Sequence, residues 1–274
     1  YYQMLPALPQ LRHAFEWAVA NDLGLAQGIA ANCANLHAQF GQARQAHDWS
    51  SRLLAAAQAG RAGSRVLGAA YLQEGNSLIR LASLPGEDRG GRLREALAAY
   101  DEALALRREV PLDYATTQNN RAVLLRDLAS LPGEDRGGRL REALRCAAEA
   151  VMLFEQYQQA QYLEVGRRVL ADLRRDCGEE FPALWAAAGL GEPPEWLDYM
   201  ARLQAADVET PDVAEWQAIV TAGVELLAAG AAGLPGLDAD ALRKRVASNY
   251  NTLGNAHDSA GDATAALAAF ERAI

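Results

Sequence analysis

A segment of seventeen residues occurs twice in this chain without a single change. Residues 81–97 read LASLPGEDRGGRLREAL, and the same residues return at 128–144, forty-seven positions later. Identity over this length at one spacing excludes biased composition as its cause and indicates a duplication. A period of this size is typical of repeat architectures, in which each unit buries its apolar face only against its neighbours.

The composition favours helices as the elements of the repeat. Of the 274 residues, 50% are hydrophobic but only 7% are aromatic, and alanine and leucine are abundant. Alanine and leucine are strong helix formers, whereas strands are rich in β-branched and aromatic residues. The predicted fold class is therefore all-α.

Each repeat unit predicts two helices joined by a turn. After the turn, apolar residues follow at spacings of four, three and four, which is one face of a helix, at Leu93, Leu97, Tyr100 and Leu104. Proline and glycine in the turn end the preceding helix. Asp88 is predicted to cap the helix that follows, and Asp113 is predicted to cap the next one, over residues 114–130.

The most regular pattern lies at the end of the chain, at Tyr250, Leu253, Gly254, Asn255, His257, Gly261, Asp262, Ala266, Phe270 and Ala273. This spacing of small and bulky residues resembles the tetratricopeptide repeat (TPR) family. Three earlier segments fit the same template, at Cys33, Ala34, Asn35, His37, Gly41, Ala46 and Leu53, at Tyr71, Gly75, Asn76, Leu78, Ala96, Tyr100 and Ala103, and at Asn120, Ala122, Leu125, Ala143, Ala147 and Ala150. The resemblance implies a right-handed superhelix of stacked antiparallel helix pairs, a TPR-like α-solenoid. Glu74 and Arg121 depart from it, because the family has leucine at these positions.

Three parts are predicted along the chain. Residues 1–176 form a TPR-like helical repeat array, residues 177–210 a junction of helix and loop, and residues 211–274 further TPR-like helices, truncated at the C-terminus. Glycine and proline interrupt the pattern in the junction. Its two tryptophans, Trp185 and Trp196, are predicted to fill the core there.

In the TPR family the first helix of each pair lines a concave face that binds peptides. The resemblance places amide and arginine side chains on that face, namely Asn32, Asn35, Gln73, Asn76, Arg80, Asn119, Asn120, Arg126, Asn251 and Asn255. Amides can donate to and accept from the backbone of an extended peptide. Relatives that clamp a carboxylate also use lysines, which are missing here apart from Lys244. Ordinary solvated helix positions are the alternative interpretation of the asparagines.

The sequence predicts no catalytic residue, no metal site and no cofactor. The four histidines are scattered, and neither a phosphate-binding loop nor a nucleophile motif is present. A net charge of −9 disfavours nucleic acids and anionic membranes as partners. Three cysteines without CxxC spacing are typical of a reducing compartment. We therefore expect a cytoplasmic, non-enzymatic scaffold that binds a protein or peptide.

An alternative function comes from the segment at residues 11–20 and the long repeats after it. These are similar to the helical arms that follow the nucleotide-binding module in bacterial STAND-type regulatory ATPases. The resemblance implies a sensor or oligomerisation arm of a larger signalling protein, with a phosphate loop elsewhere in the parent chain.

The duplicated loop also allows two interpretations. Arg89 and Arg92, with their copies Arg136 and Arg139, lie near helix N-termini, where anions can bind. The same arginines can instead form exposed ion pairs with neighbouring carboxylates, and because residues 87–95 carry no net charge we favour these pairs.

Overall fold

The computed structural model describes residues 8–60, 62–206, 211–230 and 239–273. Regular structure in these ranges is entirely helical, which confirms the predicted all-α class. Residues 1–7 and 61 of the predicted array, 207–210 of the junction, and 231–238 and 274 of the last part lie outside the described residues. Within the described ranges, no helix is both long enough and apolar enough to cross a membrane.

The helices are α1 (Leu8–Asn21), α2 (Leu23–Gln39), α3 (Ala43–Ala59), α4 (Ser64–Ala82), α5 (Arg89–Arg107), α6 (Pro111–Ala129), α7 (Arg136–Gln156), α8 (Ala160–Cys177), α9 (Phe181–Ala187), α10 (Trp196–Ala206), α11 (Val213–Ala228), α12 (Ala239–Ser259) and α13 (Ala263–Arg272). From α1 to α6, each helix packs against the next one along the chain. Consecutive packing of this kind, together with the duplication, makes the chain a helical repeat.

The chain divides into two compact units, Tyr1–Cys146 and Ala147–Ile274. The first unit contains α1 to α6 and the start of α7, and the second contains the rest of α7 with α8 to α13. The predicted three-part division at residues 176 and 210 stays a prediction.

The core of the first unit is built from the apolar stripes of the repeats. Leu93 and Tyr100 of α5 are almost fully buried in one cluster with Leu124 of α6. Tyr100 lies so close to α4 that a Cβ atom at Gly75 would be 2.5 Å from its ring. The packing of α4 on α5 therefore requires a residue without a side chain at position 75.

Aspartates begin the helices of both duplicated segments. The carboxylate of Asp88 accepts a hydrogen bond from Gly91 N at 3.0 Å, and Asp135 accepts the same bond from Gly138 N at 3.0 Å. These side chains satisfy an amide that has no partner within the helix. The predicted cap at Asp88 is confirmed.

The predicted cap at Asp113 is wrong. Helix α6 begins at Pro111, with Val110 as its N-cap residue, so Asp113 lies inside the first turn. Proline suits the first helical position, because its backbone angle is already helical and the missing N–H would have no partner there.

The second unit buries both tryptophans of the predicted junction. Trp185 donates its ring N–H to the carbonyl of Gly191 at 2.6 Å, and the guanidinium of Arg167 lies 5.2 Å from the ring centre of Trp196. The presence of helices in residues 211–274 is confirmed by α11, α12 and α13. At Gly254 a Cβ atom would again lie 2.5 Å from an aromatic ring, that of Phe270.

Candidate functional site

The residues predicted to line a groove differ widely in their exposure. Those in the first unit lie on α2, α4 and α6, and the last two lie on α12 in the second unit. The side chains are exposed at Asn32, Asn35, Asn251 and Asn255, partly buried at Asn76, Arg80, Asn120 and Arg126, and buried at Gln73 and Asn119.

The structure joins two of these residues from successive repeats. The side-chain N–H of Asn120 on α6 donates to Oδ1 of Asn76 on α4 at 3.2 Å. The hydroxyl of Tyr100 donates to the same oxygen at 2.6 Å. Because the oxygen of Asn76 accepts both bonds, its NH₂ group is left to donate elsewhere.

We call the predicted groove residues on α2, α4 and α6 the amide row. Three polar atoms of the amide row are buried without a hydrogen-bond partner among the described residues. They are Nε2 of Gln73, Nη1 of Arg80 and Oδ1 of Asn119. Such atoms are rare, because leaving a buried polar group without a partner costs about 1–3 kcal/mol. Two of the three are donors on α4, and the third is an acceptor on α6. All three are closed to solvent in the free protein, so a ligand would reach them only when these side chains turn outward.

The remaining predicted residues are not drawn into this arrangement. Asn32 donates to the carbonyl of Gly28 on its own helix at 2.8 Å. A guanidinium nitrogen of Arg126 lies 3.9 Å from the carboxylate of its neighbour Asp127. Asn251 and Asn255 belong to the other unit.

A second group of polar residues, which the sequence analysis did not single out as a site, lies where α4 packs against α3. We call the side chains of His47, Ser51, Glu74 and Ser77 the α3/α4 cluster. The hydroxyl of Ser51 donates to both carboxylate oxygens of Glu74, at 2.9 and 3.1 Å. Nδ1 of His47 lies 3.1 Å from the Ser77 hydroxyl and 3.6 Å from Oε2 of Glu74. The sequence signal that could have revealed this cluster is the glutamate at position 74, where the TPR template has leucine.

Burial dominates the electrostatics of the α3/α4 cluster. The side chain of Glu74 is only 13% exposed, and burial raises its pKa above the usual carboxyl range. The residue types are those of a hydrolase triad, and the Ser51 hydroxyl lies 3.3 Å from Nε2 of His47, but its bond to Glu74 is shorter, at 2.9 Å. A serine nucleophile instead needs to pass its proton to histidine.

The arginines of the duplicated loops form ion pairs. Arg92 lies 3.3 Å from Glu87, and its copy Arg139 lies 3.0 Å from Glu134. The predicted pairing is confirmed for these two arginines, but the pairs are not exposed as predicted, since the side chains of Glu87 and Glu134 are only 17% and 7% exposed.

A second arginine, from the second helix of the preceding helix pair, reaches each of the same two glutamates. Arg44 of α3 lies 3.2 Å from Glu87, and Arg94 of α5 lies 2.8 Å from Glu134. The hydrogen bond from Arg44 is the main cause of the lowered pKa of Glu87, and for Glu134 the main cause is the bond from Arg139. The glutamates of the loops therefore act as links between successive repeats.

Metal binding has no candidate in the described ranges, where no three His, Cys, Asp or Glu side chains are grouped to hold an ion. No model of a known protein family matches this chain, and no curated protein matches it. The resemblances to TPR proteins and to the arms of STAND ATPases therefore stay predictions. That the chain is a helical repeat follows from its duplicated sequence and from the consecutive packing of its helices.

Proposed function

We propose that this chain is a non-enzymatic scaffold of TPR type, which binds a protein segment or an extended peptide along α2, α4 and α6. The observation that carries the proposal is the amide row itself. Asn76 and Asn120 join two repeats by a hydrogen bond, and buried polar atoms without protein partners belong to the same row.

The chemistry of the row suits a peptide backbone. Each peptide unit offers one N–H donor and one carbonyl acceptor. Once these side chains turn outward, Gln73 and Arg80 would donate to peptide carbonyls, and Oδ1 of Asn119 would accept from a peptide N–H. Supplying these partners removes a penalty of about 1–3 kcal/mol for each buried group, so binding gains free energy at the residues that are unsatisfied in the free protein.

The TPR type is supported by a recurring contact between helices of a pair. Gly75 faces the ring of Tyr100 in one repeat and Gly254 faces Phe270 in another, each with room for no side chain. Small and aromatic residues alternate in this way in the template that the sequence resembles. A cytoplasmic location is part of the proposal and is supported by three buried, free thiols at Cys33, Cys146 and Cys177.

A peptide selection tests the proposal. A displayed library of short unstructured peptides is enriched on the chain, and the affinities of the enriched peptides are measured for Asn119→Ala and Arg80→Gln. We expect each substitution to weaken binding about tenfold, which corresponds to the loss of one hydrogen bond of about 1.4 kcal/mol.

Gln45→Ala is the matched control, because Gln45 is an exposed amide on α3, the other helix of its pair. It should leave binding unchanged, and circular dichroism should show equal helix content in all variants. Failure to enrich any peptide, or equal affinity for the groove variants and the control, would contradict a peptide-binding groove.

A further inference from the structure

Glu74 is an acid held in the packing between α3 and α4, and the groups around it come from three helices. His47 and Ser51 face it from α3, and Ser77 stands beside it on α4. From α5 the carboxylate of Glu95 acts on Glu74 by repulsion, and Glu95 is itself paired with Arg92 at 2.9 Å. Among the described residues, His47 is the sole basic group within ion-pair distance of Glu74.

We propose that the His47–Glu74 pair is a proton-controlled joint, in which uptake of one proton tightens the packing of α3 against α4. With a neutral imidazole and an ionised carboxylate, the joint buries a net negative charge. One added proton, on either the ring or the carboxyl group, brings the net charge of the pair to zero. Burial of a net charge is unfavourable, so the protonated joint packs more stably.

The raised pKa of Glu74 also indicates that protonation stabilises the folded state. When the pKa of an acid is higher in the folded state than in the unfolded one, the folded protein binds the proton more tightly. The stabilising contribution is then fully present below the unfolded pKa, and it is lost as the pH rises through the raised pKa. Acidification should therefore stabilise this joint. The stability of the whole chain also depends on its other carboxylates, so the effect of the joint is measured against a variant that lacks it.

The next joint of the repeat provides an internal comparison. Arg121 of α6 takes the position of Glu74 forty-seven residues later, and it pairs with Asp101 of α5 at 2.8 Å. Its guanidinium stays charged throughout the range in which histidine and glutamate titrate. Proton control is therefore a property of the α3/α4 joint and not of the repeat in general.

Thermal unfolding of the full chain between about pH 8 and about pH 5 tests the joint. Glu74→Gln keeps the shape of the side chain and an oxygen that accepts from Ser51, but it cannot ionise. We expect the Tm of the original chain to rise, relative to that of this variant, by about 2–4 °C on acidification. His257→Gln, a change of a histidine outside the cluster, should keep the original pH response. Identical pH responses of the original chain and Glu74→Gln would overturn the proposal.

A second variant and a spectroscopic readout cover the case in which Glu74→Gln does not fold. His47→Gln should flatten the same pH response, and its retention of the full response would overturn the proposal. In carboxyl-carbon NMR spectra of the original chain, the Glu74 carboxyl should titrate above the usual carboxyl range. A Glu74 carboxyl that titrates within the usual range would also overturn the joint.

The joint also bears on the groove, since α4 carries Gln73, Asn76 and Arg80 as well as Glu74. That link rests on the proposed function, whereas the joint does not. If the selection enriches no peptide while the difference in Tm is present, the proposed function fails and the joint stands. If peptides bind but the Tm difference is missing, the joint fails alone.

Discussion

Glu95 and Glu142 occupy the same position in the two copies of the duplicated segment, yet they pair with different arginines. Glu95 pairs with Arg92 of its own helix at 2.9 Å. Glu142 pairs at 2.7 Å with Arg121, which belongs to the preceding helix α6. Since the seventeen residues around both acids are identical, the difference must come from the residues that pack against them.

The residue responsible stands before the duplicated segment in each repeat. It is Glu74 in one and Arg121 in the other, and both side chains are largely buried, at 13% and 11% exposure. The carboxylate of Glu74 repels that of Glu95, which pairs with Arg92 of its own helix instead. An arginine there attracts Glu142. One change of charge at a buried position therefore redirects an ion pair without altering the helix that carries it.

Among the changes that test this comparison of the two repeats, disrupting the contact between Gly75 and Tyr100 should alter the free energy of unfolding most. The corresponding positions forty-seven residues later hold alanine, at Ala122 and Ala147. Gly75→Ala should destabilise the chain by about 2–3 kcal/mol, because the added Cβ would lie 2.5 Å from a ring that cannot move within the core. Chemical unfolding measures the loss.

Gly90→Ala is its control, since the nearest atom to a Cβ there is the flexible end of Arg94, at 3.4 Å. This change should be neutral or slightly stabilising, as expected for alanine in a helix. A loss below about 1 kcal/mol for Gly75→Ala would show that the α4–α5 contact yields more easily than the structure indicates.

Arg121→Leu should have the next largest effect, a loss of about 2 kcal/mol. The substitution removes the ion-pair partner of Glu142 and Asp101. We expect a smaller loss than for a fully buried pair, because both carboxylates have partial access to water. Glu74→Leu, the matched change in the first repeat, removes a buried acid and should change the free energy of unfolding by less than about 1 kcal/mol. Equal losses in urea unfolding would mean that the charge at this position does not distinguish the two joints.

The smallest expected effects are equal in both repeats. Asp88→Ala and Asp135→Ala each remove a cap whose hydrogen bond is 3.0 Å long, and each should cost about 1 kcal/mol. Urea unfolding of the two variants measures both losses. A clear inequality would show that even the caps depend on their tertiary surroundings.

Much of the fold was predictable from the sequence because helical signals are local. The spacing of Leu93 and Tyr100 predicted the buried face of α5, and Asp88 predicted the residue at which it begins. The prediction failed at Asp113, where Pro111 begins the helix one turn earlier. Two local signals competed there, and proline at the first helical position outweighed an aspartate within the first turn.

The candidate site was predictable only in its residue types. The TPR template placed Gln73, Asn76 and Asn120 on one face, but periodicity says nothing about depth below the surface. In the structure Gln73 is buried and Asn76 is held by Tyr100, which comes from the other helix of the pair. A helix position acquires its burial from the element packed against it, and that element lies far away along the chain.

The sequence by itself determined the all-α class, the repeat, and the start and apolar face of α5, since these signals lie within short stretches of the chain. Only the tertiary structure decided which polar groups meet. It joined Asn76 to Asn120, enclosed Glu74 with His47, and gave two identical segments different ion pairs. The physical reason is that burial and pairing depend on which side chains a neighbouring helix presents, and identical local sequence leaves that choice open.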